Sequence, residues 1–473
     1  MTGKTHWHNS LFLYVIVSFL LSPIVADAAE VTTMTYEQAV RRMPDRKIPK
    51  FWAGDVTGLS GCFEKLTEGE VRTIAISPGS RPMHLVTFGK RENPGHKANF
   101  NSAVGGAEPA AYMDKPARKK PVILFVGPVH GAEVEGLTGL VNFINIMERG
   151  EDLRGVKQAK LRALGEQCRL LIVPEGNPDG IARFEPRGLC GMEGIDLRFW
   201  GQGTWSDDTF CGWPESKRRH PMAGDDVGFL GCYFNDKGIN PMHDEFFAPM
   251  GPEAPAILKL AAEEGPDLVV SLHSHESKPA VLRPAYVTVE IQQDIRLLAE
   301  RCYGILAERD LPHADLFAVE SEGGKNPSPF NLTSALYHIS GANSFTFECP
   351  HGLKDGCHVS FEQILDIQLS LYEAMLQHEL DKKNLRRSNK TKVLHICHSE
   401  RSEESRTWGL IEILRSAQGD TREVLLECLN YLTTTNLIKV LAVGISFVLC
   451  VMLGFGTELT LDERPAEPGH GRD

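Results

Sequence analysis

The chain has 473 residues, 42% of them hydrophobic and 24% charged, which suits a globular enzyme long enough for one large α/β domain or two smaller ones. Its formal net charge of −12, with no basic stripe in mid-chain, argues against a nucleic-acid binder, because phosphate backbones demand concentrated Lys and Arg.

The N-terminus reads as a secretory signal. Lys4 precedes the apolar stretch Leu11 to Val25, and Ala26-Asp27-Ala28 has the small-x-small pattern of a cleavage site. The run is short for an anchor and is broken by Pro23, so residues 1–28 are expected to be removed on export to a periplasmic or extracellular space. Of the 11 cysteines, the eight from Cys62 to Cys357 form an even set compatible with an oxidising compartment. Cys190 with Cys211 and Cys349 with Cys357 are close enough in sequence to pair, and plain buried thiols are the alternative.

The predicted elements follow in order. A helix is expected over Thr35 to Met43, then a hairpin whose strands Val71–Ile76 and Met83–Phe88 flank the turn Ser77-Pro78-Gly79-Ser80. Residues 91–120 read as a long surface loop. Val122–Val126 is a continuous apolar strand, and helical spacing runs from Glu133 to Met147. Leu170–Val173 is the next strand. Residues 181–252, rich in Gly, Trp, Asp and Pro, form a long irregular insertion of the kind that builds or lids an active site. A helix over Pro255–Glu264, a strand over Leu268–Leu272, a helix over Ile291–Arg309, a short strand over Phe345–Phe347 and a long helix over Ser360–Lys382 complete the pattern. Apolar strands alternating with helices predict an α/β fold: a mixed, largely parallel central sheet with helices on both faces.

The C-terminal region departs from this pattern. His398–Arg406 and Arg415–Arg422 resemble the translation of an intergenic repeat of bacterial genomes, which implies that the domain over 34–384 was extended. Residues 385–436 are expected to be a disordered or spurious extension, 437–456 an apolar segment, and 457–473 a polar tail. The uncharged run Val440 to Gly456 falls just short of the roughly 20 residues of a spanning helix, so membrane contact is expected only if this segment inserts.

Three of the apolar strands deliver chemistry. His130 follows the first, with Glu133 three residues on; His273 ends the second; Glu348 ends the third. Two imidazoles and one carboxylate are what a catalytic zinc needs, and a further carboxylate is a candidate base. In open α/β sheets ligands bind at the carboxyl ends of strands, so parallel strands would bring all four residues to one edge. Taken singly, each has a blander reading as a satisfied strand-end histidine or a surface carboxylate. No G-x-S-x-G is present to support a serine hydrolase.

His130-Gly131-Ala132-Glu133, Asn177-Pro178-Asp179-Gly180, Ser271-Leu272-His273-Ser274 and Phe345-Thr346-Phe347-Glu348 occur in the order of the zinc carboxypeptidase family, which the chain resembles over residues 34–382. The resemblance implies one zinc ion per chain held by His130, Glu133 and His273, with Glu348 as general base and acid. It also implies an arginine downstream of Asn177 that stabilises the oxyanion, Arg187 first and Arg183 second. Asn177 is expected in the cleft wall, on the substrate side.

The sequence departs from the family where members of the digestive type carry an Asn-Arg pair for the substrate carboxylate. Gly194-Ile195-Asp196-Leu197-Arg198-Phe199 keeps only Arg198; alternatively the aligned segment is Gly238–Asp244, with Met242-His243 in place of the pair. A bidentate arginine cannot become histidine without changing what is bound. His275, His351 and His358 are expected to be incidental, with His275 pointing away from His273. Trp200, Trp205 and Trp213 are read as a core cluster or a cleft lining. The expected protein is thus an exported zinc-dependent hydrolase of an amide bond in a peptide or amino-acid conjugate. The alternatives are an N-acyl amino acid deacylase and a catalytically silent binding protein of the same fold.

Overall fold

The computed structural model describes residues 32–92, 95–213, 215–319 and 329–398. The expected signal segment and the apolar segment 437–456 lie outside the described residues. The chain divides into two compact units, Met1–Gln377 and His378–Asp473. The described part of the second unit is helical to His398. Among the described residues no helix is long and apolar enough to cross a membrane.

In the first unit, α1 (Tyr36–Arg42) is opened by Thr35, whose hydroxyl and the Gln38 side chain cap each other's backbone N–H groups. The predicted hairpin forms as β1 (Glu70–Ile76) and β2 (Pro82–Phe88). The sheet continues with β3 (Val122–Val126), β4 (Arg169–Val173), β7 (Leu268–His275), β8 (Ala280–Leu282) and β9 (Asn343–Pro350) in the order β1-β2-β4-β3-β7-β9-β8. The four central strands, β4, β3, β7 and β9, are parallel, and β1, β2 and β8 add antiparallel edges. A separate antiparallel ribbon joins β5 (Gly203–Trp205) to β6 (Val227–Leu230).

Every residue of β3 and β4 is buried, as central strands covered on both faces require. Val122, Leu124 and Val126 point to one face, where they join Ile257 and Ala261 of α4 (Glu253–Glu264) and Leu332 and Leu336 of α6 (Leu332–Ser340). Phe125 points to the other. Its ring lies 5.5 Å from Phe143 of α2 (Glu135–Arg149) and 5.2 Å from Tyr372 of α7 (Phe361–His398). Helices on both faces of a mixed sheet confirm the predicted fold class.

Several boundaries differ from expectation. Helix α2 starts at Glu135, and Glu133 lies before it in a turn closed by its own N–H on the His130 carbonyl at 3.0 Å. The stretch 91–120 contains a helix, Phe100–Gly105, capped by Asn99, beside a small apolar cluster of Ala103, Tyr112 and Met113. Strand β8 and helix α6 were not foreseen. Cys190, Cys211, Cys349 and Cys357 are thiols, so neither suggested disulfide forms. Burial pushes the Cys190 thiol up to about 11 and that of Cys211 to about 12, as expected of inert core thiols.

Candidate active site

The parallel register aligns the strand ends. Val126 of β3 is opposite Ser271 of β7, and Ser271 is opposite Thr346 of β9. Two residues on, His273 and Glu348 are register partners. His130 reaches the same edge from the turn after β3. That turn is close-packed: Gly131 donates its N–H to the Cys232 carbonyl at 2.7 Å, and a Cβ there would sit 2.1 Å from the Gly180 carbonyl carbon. Only glycine fits between the ligand-bearing turn and α3 (Pro178–Arg183).

His130, Glu133 and His273 are 8%, 2% and 3% exposed, and each offers a donor atom within 4.8 Å of the others. His130 Nδ1 is 3.0 Å from Glu133 Oε1, and His273 Nδ1 is 2.9 Å from Glu133 Oε2. The two rings are nearly perpendicular, 77° apart, with centroids separated by 4.8 Å. Two neighbours orient them. The Ser271 hydroxyl lies 3.1 Å from His273 Nε2, and Tyr233 stacks on His130 at 4.1 Å, 9° from parallel.

The electrostatics follow from this enclosure. Burial alone would raise the Glu133 pKa, but the two facing imidazoles outweigh it and hold the carboxyl below the ordinary range. Burial lowers the pKa of His130. For His273 burial acts downward too, but the Glu133 and Glu348 charges outweigh it and raise the group. Burial raises Glu348, opposed by His273 and reinforced by Glu133. His130 Nε2 is buried without a hydrogen-bond partner. Buried polar atoms without partners are rare in folded proteins, and a nitrogen-oxygen donor set with such an orphan is chemically suited to zinc. The residues therefore fit a metal.

The other predicted site residues fall elsewhere. Arg187, in the left-handed region at φ 57°, turns its half-exposed guanidinium to Asp55 and does not line the cleft. Arg183 donates to the Leu230 carbonyl at 3.0 Å and pairs with Asp236. Arg198 lies over the Phe210 ring, 4.8 Å from its centroid. Arg187 is thus engaged by a carboxylate and Arg198 by a ring, and neither is among the described residues lining the cleft. Asn177 is fully buried; it caps α3 by accepting from Gly180 N–H and donates to the Val129 carbonyl at 3.1 Å. It shapes the wall and presents nothing to a substrate. His243 lies in the turn Pro241–His243, with its Nε2 against the Lys217 ammonium.

His275 does not point away from His273. Strand β7 extends to it, residues two apart share a face, and both line the cleft. His351 is fully buried against Glu135 at 3.1 Å, and His358 is exposed. Trp200 is core, packed on Phe199 and Phe229, whereas Trp213 is 70% exposed at the cleft. Lys217 and Tyr233 also line the cleft and were missed, whereas Trp213 takes the cleft-lining place that was one of its two readings; all three come from the irregular insertion, which has no periodicity to mark them.

A parallel sheet edge with a buried His-Glu-His set and an opposed carboxylate defines the chain as a metal-dependent hydrolase by class. Residues 67–278 match the peptidase M14 (zinc carboxypeptidase) family model, a span that includes His130, Glu133 and His273 and stops short of Glu348. Over that span the protein is similar to the zinc carboxypeptidase family, and it is a zinc carboxypeptidase-like hydrolase.

No curated protein matches the chain. Among solved structures, a metallo-carboxypeptidase from Burkholderia cenocepacia is 16% identical, with a TM-score of 0.43 over 69% of this chain and 68% of that one. Thrombin activatable fibrinolysis inhibitor is 14% identical, with a TM-score of 0.42 over 72% and 80%. A metallo-carboxypeptidase from Pseudomonas aeruginosa is 13% identical, with a TM-score of 0.36 over 74% and 70%. These likenesses are distant, and the family match is confined to residues 67–278.

Proposed function

We propose that the protein is an exported hydrolase of an amide bond in peptides or amino-acid conjugates, in which His130, Glu133 and His273 hold one zinc ion and Glu348 is the general base and acid. The observation that carries this reading is the convergence of three donor atoms within 4.8 Å, with His130 Nε2 buried and unpartnered beside them. When bound, zinc supplies a Lewis acid that polarises a carbonyl and acidifies water toward neutrality.

The chain's own residues orient and move protons. Ser271 engages one nitrogen of His273 and leaves the other facing Glu133. Tyr233 fixes the plane of His130. Glu348, whose pKa burial raises, takes a proton from the attacking water and returns it to the leaving amine. Water thus adds hydroxyl to the acyl carbon and hydrogen to the nitrogen, with no covalent intermediate.

The deacylase alternative uses the same residues, because an N-acyl amino acid presents the same scissile amide as a peptide. A silent binding protein would keep a costly buried cluster without physical reason. The test is an assay of the purified full chain with zinc on C-terminally free peptides and N-acyl amino acids. Hydrolysis lost to a chelator and restored by zinc is expected; turnover of no amide in either set rejects the hydrolase. Export is read from residues 1–28, and N-terminal sequencing of the secreted product is expected to begin near Ala29.

A further inference from the structure

We propose that Lys217, braced by His243, is the anion-recognising residue of this cleft and receives the free α-carboxylate of the amino acid that leaves on hydrolysis. This builds on the hydrolase reading above and names the substrate class.

Among the described residues that line the cleft there is one lysine, Lys217, and no arginine. The arginines that sequence position suggested are engaged elsewhere, Arg187 with Asp55, Arg183 with Asp236 and Arg198 over Phe210. Lys217 lies on the short helix Glu215–Arg218, whose Ser216 is tied to Gln202 by a 2.9 Å hydrogen bond across the cleft wall. Its ammonium donates to His243 Nε2, with no carboxylate in ion-pair contact among the described residues. Burial, and then the Lys217 charge, push the His243 imidazole down to about 2, so it stays neutral and accepts. A neutral acceptor steadies the ammonium without neutralising it, and two of its three N–H donors remain for a ligand.

Charge balance points the same way. Burial lowers the Lys217 pKa, and the Glu133 and Glu348 charges oppose that and favour the ammonium. A divalent ion and one ammonium against those two carboxylates leave one net positive charge, which a single substrate carboxylate neutralises. A peptide with a free C-terminus and an N-acyl amino acid both carry that carboxylate on the amine side of the scissile bond. One residue therefore accounts for both substrate classes, and it excludes internal peptide bonds and C-terminal amides. An ammonium is a point charge without the fork of a guanidinium, so the recognition tolerates variation in carboxylate orientation.

The test compares N-acetyl-phenylalanyl-phenylalanine with its C-terminal amide on the zinc-loaded full chain, in the parent, Lys217→Met and Lys217→Arg. A parent preference for the free acid is expected, falling roughly 10- to 100-fold in Lys217→Met, chiefly through KM, as loss of a charge-assisted hydrogen bond predicts. Lys217→Arg is expected to restore part of it. Calorimetric binding of N-acetyl-phenylalanine against its amide gives a readout independent of turnover and is expected to show the same loss. An acid-over-amide preference that Lys217→Met leaves unchanged overturns the proposal. If the parent hydrolyses neither compound, the hydrolase reading fails, and calorimetry alone decides Lys217: equal binding of acid and amide, or binding unaffected by Lys217→Met, rejects it.

Discussion

His273 and Glu348 are direct register partners on the parallel strands β7 and β9, so one step of the ladder sets the candidate metal ligand beside the candidate base. A one-residue slip of β9 would turn Glu348 to the other face of the sheet. The pairing is maintained over eight residue pairs, Leu268 with Asn343 through His275 with Pro350, and the core behind it is fully buried at Val269, Val270, Phe345 and Phe347.

Replacing Glu348 by glutamine is expected to remove the proton carrier and leave the His-Glu-His set intact. Turnover should fall by roughly 10²- to 10⁴-fold, the range for loss of a positioned acid-base group. Paired steady-state kinetics and metal analysis check this. Turnover near the parent level, or loss of metal along with activity, would exclude Glu348 as base.

Substituting Gly131 by alanine places a methyl 2.1 Å from the Gly180 carbonyl carbon and 2.3 Å from Ile181 N, backbone that cannot yield locally. A loss of about 1–3 kcal/mol or more is expected, with weakened zinc affinity because the turn carries His130 and Glu133. Gly61→Ala is the control, since nothing lies within 4 Å of its added methyl. Urea unfolding and zinc titration read both; equal behaviour of the two variants would contradict the packing described.

The stability of the fold should depend on pH through Glu253. It is 1% exposed, and burial raises its pKa from 4.5 to about 7 against the opposing hydrogen bond from Asn235. Between those values the folded chain holds a proton that the unfolded chain has released, so this contribution is present below 4.5 and is lost as pH rises through 7. Glu253→Gln, which keeps an acceptor for Asn235, should match the parent near pH 4.5 and exceed it by on the order of 1–3 kcal/mol at pH 8. Denaturation at the two pH values tests this, and a difference that does not widen with pH would refute it.

The sequence made the sheet legible because each central strand is a continuous apolar run, and the chemistry at its edge follows those runs directly. His130, His273 and Glu348 were readable for that reason. Helix α6 was also readable in principle: Asn331 caps it, Leu332, Ala335 and Leu336 have helical spacing, and Gly341 ends it at φ 61°. Lys217 and Tyr233 were not readable, because an insertion without periodicity gives no register from which to infer what faces the cleft. The surroundings of the arginines were hidden for a related reason. Nearness in sequence to Asn177 says nothing about which carboxylate a long cation meets in space, and Asp55 and Asp236 claim Arg187 and Arg183.

Zinc stoichiometry of the purified full chain, beside His130→Ala and His273→Ala, tests the metal centre most directly. The parent should hold one zinc ion per chain after dialysis against zinc-free buffer, and each variant should hold far less while keeping the circular dichroism of the fold. A parent that retains no zinc, or variants that retain as much as the parent, would contradict a centre built by these residues.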